Sequence, residues 1–438
     1  MFGTSGIRGP VGTTVTAELA LRIGRAVANG ADTVVVGQDV RTSGGLLADA
    51  VSVGLRECGV DVVRLGVAST PTIARSVGWL DADLGIAVTA SHNPAPDNGL
   101  KFWNPSGQAF DRAQSRKIVT DVIGNGHRVA DWDAFGTERV VDDAADRHVA
   151  HLVDRFEPMD VPVVVDLGNG TGRVTVDALY ELGCTVDTLN AQPDGRFPAR
   201  KSEPTAETCH RLRETVAATD ALFGIAHDGD ADRMVAVTED GTFVPGDALL
   251  ALFGREAVSE GDLVAVPIDT SLLVSDIVGG VGGEVVYTPV GDVHIAARAT
   301  DPDVVFGGEP SGAWIWPHET LCPDGHYAAC KLASLVSCEG SLSGLLAGFD
   351  GYTTKRENLR LDNPDRVMDG VVGRVLSEYD TVTATDGVRV DTDDGWFLVR
   401  ASGTEPLIRL TAEAQDPERA TELLEEARSL VSTTRVRV

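Results

Sequence analysis

Short apolar runs alternate with stretches of helical spacing through most of the chain. "ELALRIGRAVANG" carries apolar residues at helical intervals, with Gly30 placed as a C-cap. "DTVVVGQD" is a continuous apolar run and predicts a buried strand. "GGLLADAVSVGLRECG" predicts a helix, "VDVVRLGV" a strand, "IARSVGWLD" a helix and "LGIAVTA" a strand. Strands alternating with helices predict a doubly wound, largely parallel sheet for residues 1–150.

A polar, acidic stretch, "VVDDAADRHVAHLVDRF", reads as the bridge to a second unit of the same kind, residues 151–245. That unit runs from "VPVVVDLGNGTG" through "VTVDALYELG", "CTVDTLN" and "RLRETVAATD" to "ALFGIAHDGDADRMVAVTEDG". A third α/β unit, residues 246–350, has the helix "ALLALFGREAV", the strands "DLVAVPI", "EVVYTPVG" and "VVFGGEPSGAWI", and the helix "YAACKLASLV". Residues 351–438 read differently, as a small α+β domain of antiparallel strands and two helices, ending in "PERATELLEEARSLV".

With 438 residues, 43% of them hydrophobic, the chain can build several cores. No apolar run approaches the roughly 20 residues that cross a bilayer. The start, "MFGTSGIRGP", has neither a basic n-region nor an apolar h-region, which points to the cytoplasm. Cys58, Cys184, Cys209, Cys322, Cys330 and Cys338 form no CxxC pair and read as reduced structural thiols. The net charge of −29 repels nucleic acid and anionic membranes. It suits a salt-rich cytoplasm, where repulsion is screened within about 3 Å at 1 M salt, and predicts an extreme halophile. Five of the basic residues are lysine, so Lys101 stands out.

Four loops carry candidate chemistry. In "AVTASHNPAPDNGLKFW", residues 87–103, a strand delivers Ser91 and His92 into a stretch with no helical period, and Lys101 follows ten residues after the serine. A serine there can cap a turn, or carry a phosphate worth about −1.5 to −2 charges at neutral pH. In "DGDADR", Asp228, Asp230 and Asp232 alternate as hard oxygen ligands suited to one divalent cation. An EF-hand would need glycine where Arg233 stands and helices where strand patterns flank; a solvated acidic turn is the plainer alternative. "GGEPSG" presents Glu309 and Ser311, an acceptor and a donor suited to sugar hydroxyls, although a plain turn would read the same. "RASGTEPLIRL" places Ser402, Gly403 and Thr404 in a glycine turn that can form an anion nest, with Arg400 and Arg409 adding charge. A competing motif, "VVVDLGNGTGR" followed by Asp187, is similar to the glycine loop of S-adenosylmethionine methyltransferases.

Together the loops resemble those of the α-D-phosphohexomutase superfamily, which includes phosphoglucomutase, phosphomannomutase and phosphoglucosamine mutase. "FGTSGIRG", "TASHNP…NGLK", "DGDADR", "GEPSG" and "RASGTEP" follow the family's order over nearly the whole chain, and "LGNGTG" is similar to a glycine turn in its second domain. The resemblance implies a four-domain architecture, three doubly wound α/β domains plus a C-terminal α+β domain, around a central cleft. It implies hexose phosphates as substrates, a phosphorylated Ser91, a hexose bisphosphate intermediate, and Mg²⁺ held by Asp228, Asp230, Asp232 and a Ser91 phosphate oxygen. Lys101 is implied as general acid/base, with a pKa lowered by burial or nearby cations. Arg8 and Arg233 are implied to contact the phosphoserine region, and His92 to support the loop. Glu309 and Ser311 are implied to hold the sugar, and Ser402, Gly403, Thr404 and Arg409 the phosphate that does not react.

One position departs. A histidine common in bacterial members is Ala313 here, in "SGAW", and His294, His318 or His326 is left as a substitute. The "SGAW" form and the short N-terminus resemble archaeal members, which favours glucosamine phosphate over glucose or mannose phosphate. A methyltransferase and a non-catalytic sugar-phosphate binding protein are the remaining alternatives. Either a monomer or a homodimer is compatible with the sequence.

Overall fold

The computed structural model describes residues 6–124, 126–349, 351–361, 363–402 and 406–435. In the first sheet, β2 (Thr33–Gln38) pairs in parallel with β3 (Asp61–Val67) and with β4 (Leu84–Val88). Its outer members are β1 (Ile7–Pro10), β5 (Asp97–Trp103) and β6 (Glu138–Val140), giving the order β1-β5-β4-β2-β3-β6. Side chains alternate across a strand, so Val34 and Val36 enter one apolar cluster and Val35 another on the opposite face. Helices cover both faces, which is why β2 reads as an unbroken apolar run rather than as an alternation.

The second sheet has the order β10-β9-β7-β8, from β7 (Pro162–Asp166), β8 (Thr185–Leu189), β9 (Phe223–His227) and β10 (Met234–Thr238). The third has the order β12-β11-β13-β14, from β11 (Leu263–Pro267), β12 (Glu284–Thr288), β13 (Val304–Gly308) and β14 (Trp314–Ile315). One apolar core runs from Val149 to Leu345 and joins these two sheets. The fourth sheet is antiparallel throughout, in the order β15-β19-β18-β17-β16. Its strands are β15 (Thr353–Arg360), β16 (Val382–Thr383), β17 (Val388–Thr392), β18 (Gly395–Ala401) and β19 (Leu407–Ala414), with helices Pro364–Glu378 and Pro417–Arg435. The architecture is thus three α/β units and one α+β unit.

The fourth unit is tied to the third by Arg389. Its buried guanidinium donates to the carbonyls of Ile268 at 2.9 Å and Thr270 at 3.0 Å, and lies over the Trp396 and Tyr287 rings. Such cation–π contacts are strong where water is excluded.

The stretch after Ser91 is indeed not helical: Asp97–Trp103 is β5, antiparallel to β4, with Lys101 opposite Ala87. Two readings are corrected. The segment "VVFGGEPSGAWI" is not one strand but the hairpin of β13 and β14, because Gly312 takes φ +99° at the turn. The acidic bridge contains a helix, Ala144–Arg155, which buries His148, Val149 and Leu152.

A common device follows. Each of the first three units carries one of the loops at the turn of an antiparallel hairpin: residues 89–96 between β4 and β5, 228–233 between β9 and β10, and 309–313 between β13 and β14; the fourth loop follows β18, which pairs antiparallel with β19.

Candidate active site

Ser91 ends the first hairpin at φ +49°, a left-handed conformation that costs a non-glycine residue on the order of 1–3 kcal/mol. Its backbone is held from several sides. Ser91 N donates to Thr89 Oγ1 at 2.9 Å, and its carbonyl accepts from Ser202 Oγ at 2.9 Å and Arg41 Nη2 at 2.7 Å. The buried Arg41 also donates to the carbonyls of Asn93, Pro94 and Asp97, while its Nε pairs with Asp39 at 3.0 Å. One guanidinium therefore gathers the whole loop. Asp39 and Arg41 escaped the reading of the sequence, although "QDVR" at the end of a buried strand was available as a signal.

The loop's strain is spent on one contact: Ser91 Oγ donates to Asp228 Oδ2 at 2.6 Å. Asp228, Asp230 and Asp232 are buried, and each offers an oxygen within 4.8 Å of the others. The flanks are β9 and β10, not helices, so this is no EF-hand. Gly229 allows the approach, since a Cβ there would stand 2.9 Å from the Ser91 carbonyl and 2.6 Å from Ser202 Oγ. Thr70, missed in the sequence despite the N-cap pattern "STPT", donates its hydroxyl to Asp230 Oδ2 at 2.7 Å.

Lys101 Nζ donates to Asp230 Oδ2 at 3.0 Å and also to Asp232. Burial would lower its pKa, but the Asp230 and Asp232 carboxylates override burial and raise it. The expected lowering is therefore corrected: the ammonium is held charged by two neighbouring carboxylates. Burial, then the other two carboxylates, pushes Asp228 well above the usual carboxylate range; burial and Asp230 push Asp232 up. Asp230 goes down against its burial, because Lys101 and Thr70 favour its charged form. Asp230 Oδ1 remains buried with no hydrogen-bond partner among the described residues. Three hard, mutually repelling carboxylates around an unpartnered oxygen fit a divalent cation.

His92 Nδ1 lies 3.3 Å from Ser91 Oγ. Burial, then Arg233, Arg8 and Lys101, pulls its pKa down to about 2, so the ring is neutral. Arg8 belongs to β1, opposite Gly99, and its Nε is buried without a hydrogen-bond partner among the described residues. Arg233 leaves the metal loop and pairs at 3.8 Å with Glu203.

The third hairpin docks on the second. Met234 N donates to the Gly312 carbonyl at 2.9 Å, Trp314 Nε1 donates to the Met234 carbonyl at 2.8 Å, and Ala313 bridges Arg233. Glu309 accepts from Gly291 N at 2.7 Å and from Ser311 Oγ at 3.0 Å. Burial and Asp292 raise its pKa to about 7, against the pull of Arg233. In the fourth unit Arg400 Nη1 donates to Asp386 at 3.1 Å, and Asp386 accepts from Val290 N at 3.3 Å, next to Gly291. Arg400 and Arg409 are register partners on β18 and β19, with Arg409 exposed. Ser402 N donates to the Leu407 carbonyl at 2.9 Å; Gly403 and Thr404 lie outside the described residues.

Of the three spare histidines, His326 is buried with both ring nitrogens engaged away from the site. His318 is exposed beside Glu319. His294 is half-buried, and burial, then Arg112, lowers its pKa against the opposing pull of Asp386 and Asp292.

The glycine turn of "DLGNGTG" has its inner face filled. Gly170 abuts the metal loop, where a Cβ would meet the Gly229 carbonyl at 2.6 Å, and Thr171 N donates to that carbonyl at 3.1 Å. No room is left there for a nucleotide, and Asp187 points to solvent.

Four family models of phosphoglucomutase/phosphomannomutase match in order: α/β/α domain I at residues 1–127, domain II at 144–241, domain III at 245–352 and the C-terminal domain at 358–430. A probable phosphoglucosamine mutase of Methanopyrus kandleri is 47% identical, covering 97% of this chain and 96% of its own. One of Methanocella arvoryzae is 43% identical, covering 98% of each. Among solved structures, a phosphoglucomutase/phosphomannomutase family protein of Burkholderia thailandensis superposes with a TM-score of 0.89 at 29% identity, over 99% of this chain and 98% of its own. A putative phosphomannomutase of Thermus thermophilus superposes with a TM-score of 0.82 at 26% identity, over 99% of each. Matched domain by domain over most of its length, and 43–47% identical to relatives over nearly all of it, the chain belongs to the phosphoglucomutase/phosphomannomutase family.

Proposed function

We propose that the protein interconverts hexose 6-phosphates and hexose 1-phosphates through a phosphoserine and a hexose bisphosphate, with glucosamine phosphate as its hexose. The observation that carries this reading is the 2.6 Å contact of Ser91 Oγ with Asp228 inside a buried carboxylate triad. A non-catalytic binding protein has no use for a strained serine hydroxyl at that place. The choice of glucosamine phosphate rests on the relatives, which are named for it. No helix among the described residues is long and apolar enough to cross a membrane, and we take the cytoplasm as the site of action.

Ser91 carries the phosphate. In the first transfer the bond from phosphorus to Ser91 Oγ breaks, a bond from phosphorus to the sugar's free hydroxyl oxygen forms, and that hydroxyl gives up its proton. The bisphosphate then turns over, and the second transfer returns its other phosphate to Ser91. Asp228, Asp230, Asp232 and the serine phosphate would hold Mg²⁺, which when bound supplies charge neutralisation at the phosphoryl group. Lys101 stands where it can give or take the hydroxyl proton, and it takes one only when Asp230 and Asp232 are otherwise engaged. Arg8 adds positive charge near His92 and Lys101. Glu309 and Ser311 receive the sugar hydroxyls. Arg400, Ser402, Gly403, Thr404 and Arg409 grip the phosphate that stays in place, in either orientation of the sugar.

Intact-mass analysis should find one phosphate on Ser91. Parallel assays with glucosamine, glucose and mannose phosphates should show the first as preferred. A preference for glucose or mannose phosphate would reassign the hexose; absence of activity on all three would remove the mutase reading.

A further inference from the structure

Behind the metal loop, on or capping helices of the first three units and at the end of β9, six buried side chains that no step above uses form one line. His148 Nδ1 is 2.9 Å from Thr72 Oγ1, which is 2.7 Å from Ser69 Oγ. Ser69 Oγ is 2.9 Å from His326 Nε2, and His326 Nδ1 is 2.8 Å from Thr175 Oγ1. Thr175 Oγ1 is 2.8 Å from His227 Nε2, and His227 Nδ1 ends the line 2.8 Å from the Arg233 carbonyl oxygen.

The line has a direction. A carbonyl oxygen only accepts, so His227 Nδ1 carries the hydrogen, and in a neutral ring Nε2 accepts. Thr175 therefore donates to His227 and accepts from His326 Nδ1. His326 Nε2 then accepts from Ser69, Ser69 accepts from Thr72, and Thr72 accepts from His148 Nδ1. Six neutral groups supply one proton for each of these six bonds. What remains is His148 Nε2, 3.3 Å from Asp324 Oδ2. At 3.3 Å this contact is an ion pair only if Nε2 carries a proton, and Nε2 has no other partner among the described residues. Without a proton it would point a lone pair at a carboxylate. Reversing the polarity only moves the deficit, because His227 would then need a proton on each nitrogen. With the His148–Asp324 contact counted as a seventh, the line in either polarity needs one proton more than its six neutral groups supply.

Asp324 is ionised. Burial opposes this, but Arg75, whose Nε donates to it at 2.8 Å, and then His148 hold it well below the usual carboxylate range. Around His148, burial presses the ring toward its neutral form and Asp324 pulls it back, while Arg75 and His151 side with burial; the balance leans to a lowered pKa. The contact opposes that balance and decides for the charged ring, since a neutral ring leaves the Nε2 lone pair 3.3 Å from the Asp324 carboxylate oxygen with nothing between them among the described residues.

The line also grips the metal loop at two places. Its Ser69 and Thr72 flank Thr70, which binds Asp230 through both its hydroxyl and its backbone N–H. Its far end fixes the carbonyl of Arg233, where the loop enters β10. Gly325, between Asp324 and His326, lies so close that a Cβ would meet the Arg233 carbonyl at 2.6 Å and the Ala231 carbonyl at 2.8 Å.

We propose that this line holds one proton beyond its neutral complement, seated on His148 against Asp324, and that His148, His326 and Thr175 are positioning residues for the carboxylate loop. The positioning part rests on the phosphotransfer reading of that loop; the proton count does not.

Nitrogen-15 NMR of histidine-labelled wild-type protein near neutral pH tests the count. One buried ring, identified by its loss in His148→Gln, should be protonated on both nitrogens, and His326 on Nδ1 alone. Single protonation of every buried ring would overturn the count, and a doubly protonated His326 or His227 would overturn the seat. Thr175→Val tests the positioning, since it keeps the shape and deletes the hydroxyl. With sugar phosphate and Mg²⁺ saturating, kcat should fall at least about tenfold while KM stays within about twofold, and Thr175→Ser should restore most of the rate. Wild-type kcat in folded Thr175→Val, or no rescue by serine, would overturn the positioning role. A wild-type protein without mutase activity would remove the reading of the site and this role with it, whereas the NMR result would stand.

Discussion

Ser91 Oγ donates a 2.6 Å hydrogen bond to Asp228 Oδ2 across 137 positions of the chain. Two hairpins from different sheets meet at this bond. Ser91→Ala should leave the fold intact, because Arg41 holds the loop through backbone carbonyls and not through the serine side chain. It should abolish turnover and the phosphate mass on the protein. Near wild-type activity in this variant would dismiss the phosphoserine.

Asp230 is the acid with an unpartnered buried oxygen. Asp230→Asn removes one anionic ligand and one of the two carboxylates that hold Lys101. Mg²⁺ should bind more weakly by calorimetry, and the rate should drop by orders of magnitude. Full activity of the wild type in EDTA would contradict the metal assignment.

Lys101 and Arg409 should separate in their kinetics. Lys101→Met removes a proton carrier, which typically contributes about 10²–10⁴-fold to rate, so kcat should fall far more than KM changes. Arg409→Ala removes a charge-assisted contact to the phosphate that stays bound, so KM should rise for the 1-phosphate and the 6-phosphate alike. Equal KM in Arg409→Ala and wild type for both isomers would detach the fourth unit from phosphate binding.

Asp39 predicts a pH effect. Burial raises its pKa from 3.8 to about 6, with Arg41 opposing. A carboxyl raised in the folded state binds its proton more readily there than in the unfolded chain. Its contribution to stability is therefore present at low pH and lost as pH rises through about 6. The anchoring of the Ser91 loop runs the other way, since Arg41 needs the charged partner. Below about pH 6 kcat should decline while this group's contribution to thermal stability does not. Asp39→Asn should run about tenfold slower at every pH and lose the inflection, because a slightly displaced nucleophile is costly. An unchanged profile in Asp39→Asn would refute this assignment.

A net charge of −29 repels itself more as screening weakens. Dilution from molar salt into low salt should lower both the melting temperature and the activity. Constancy of both would argue against a halophilic protein.

The amino-acid sequence by itself determined the residue types of the four loops, their order and the alternation around them. Those are local properties. A buried strand needs an apolar run such as Thr33–Gln38, and three hard ligands on one turn need the spacing Asp228, Asp230, Asp232. Other features arose only when distant segments met. Asp97–Trp103 lacks a strand pattern of its own and becomes a strand because β4 and β1 pair with it from both sides, which carries Lys101 into the site. The segment around His148 looks like a solvated bridge until Ala144–Arg155 packs on the helices of its neighbours. Arg41 is one arginine among many until four carbonyls of one loop surround it. The pKa of Lys101 goes up where the sequence reading expected it to go down, for the same reason. Burial can be guessed from neighbours in sequence, but the carboxylates that overrule it come from another sheet, and electrostatic energy depends on distances that only the folded chain defines.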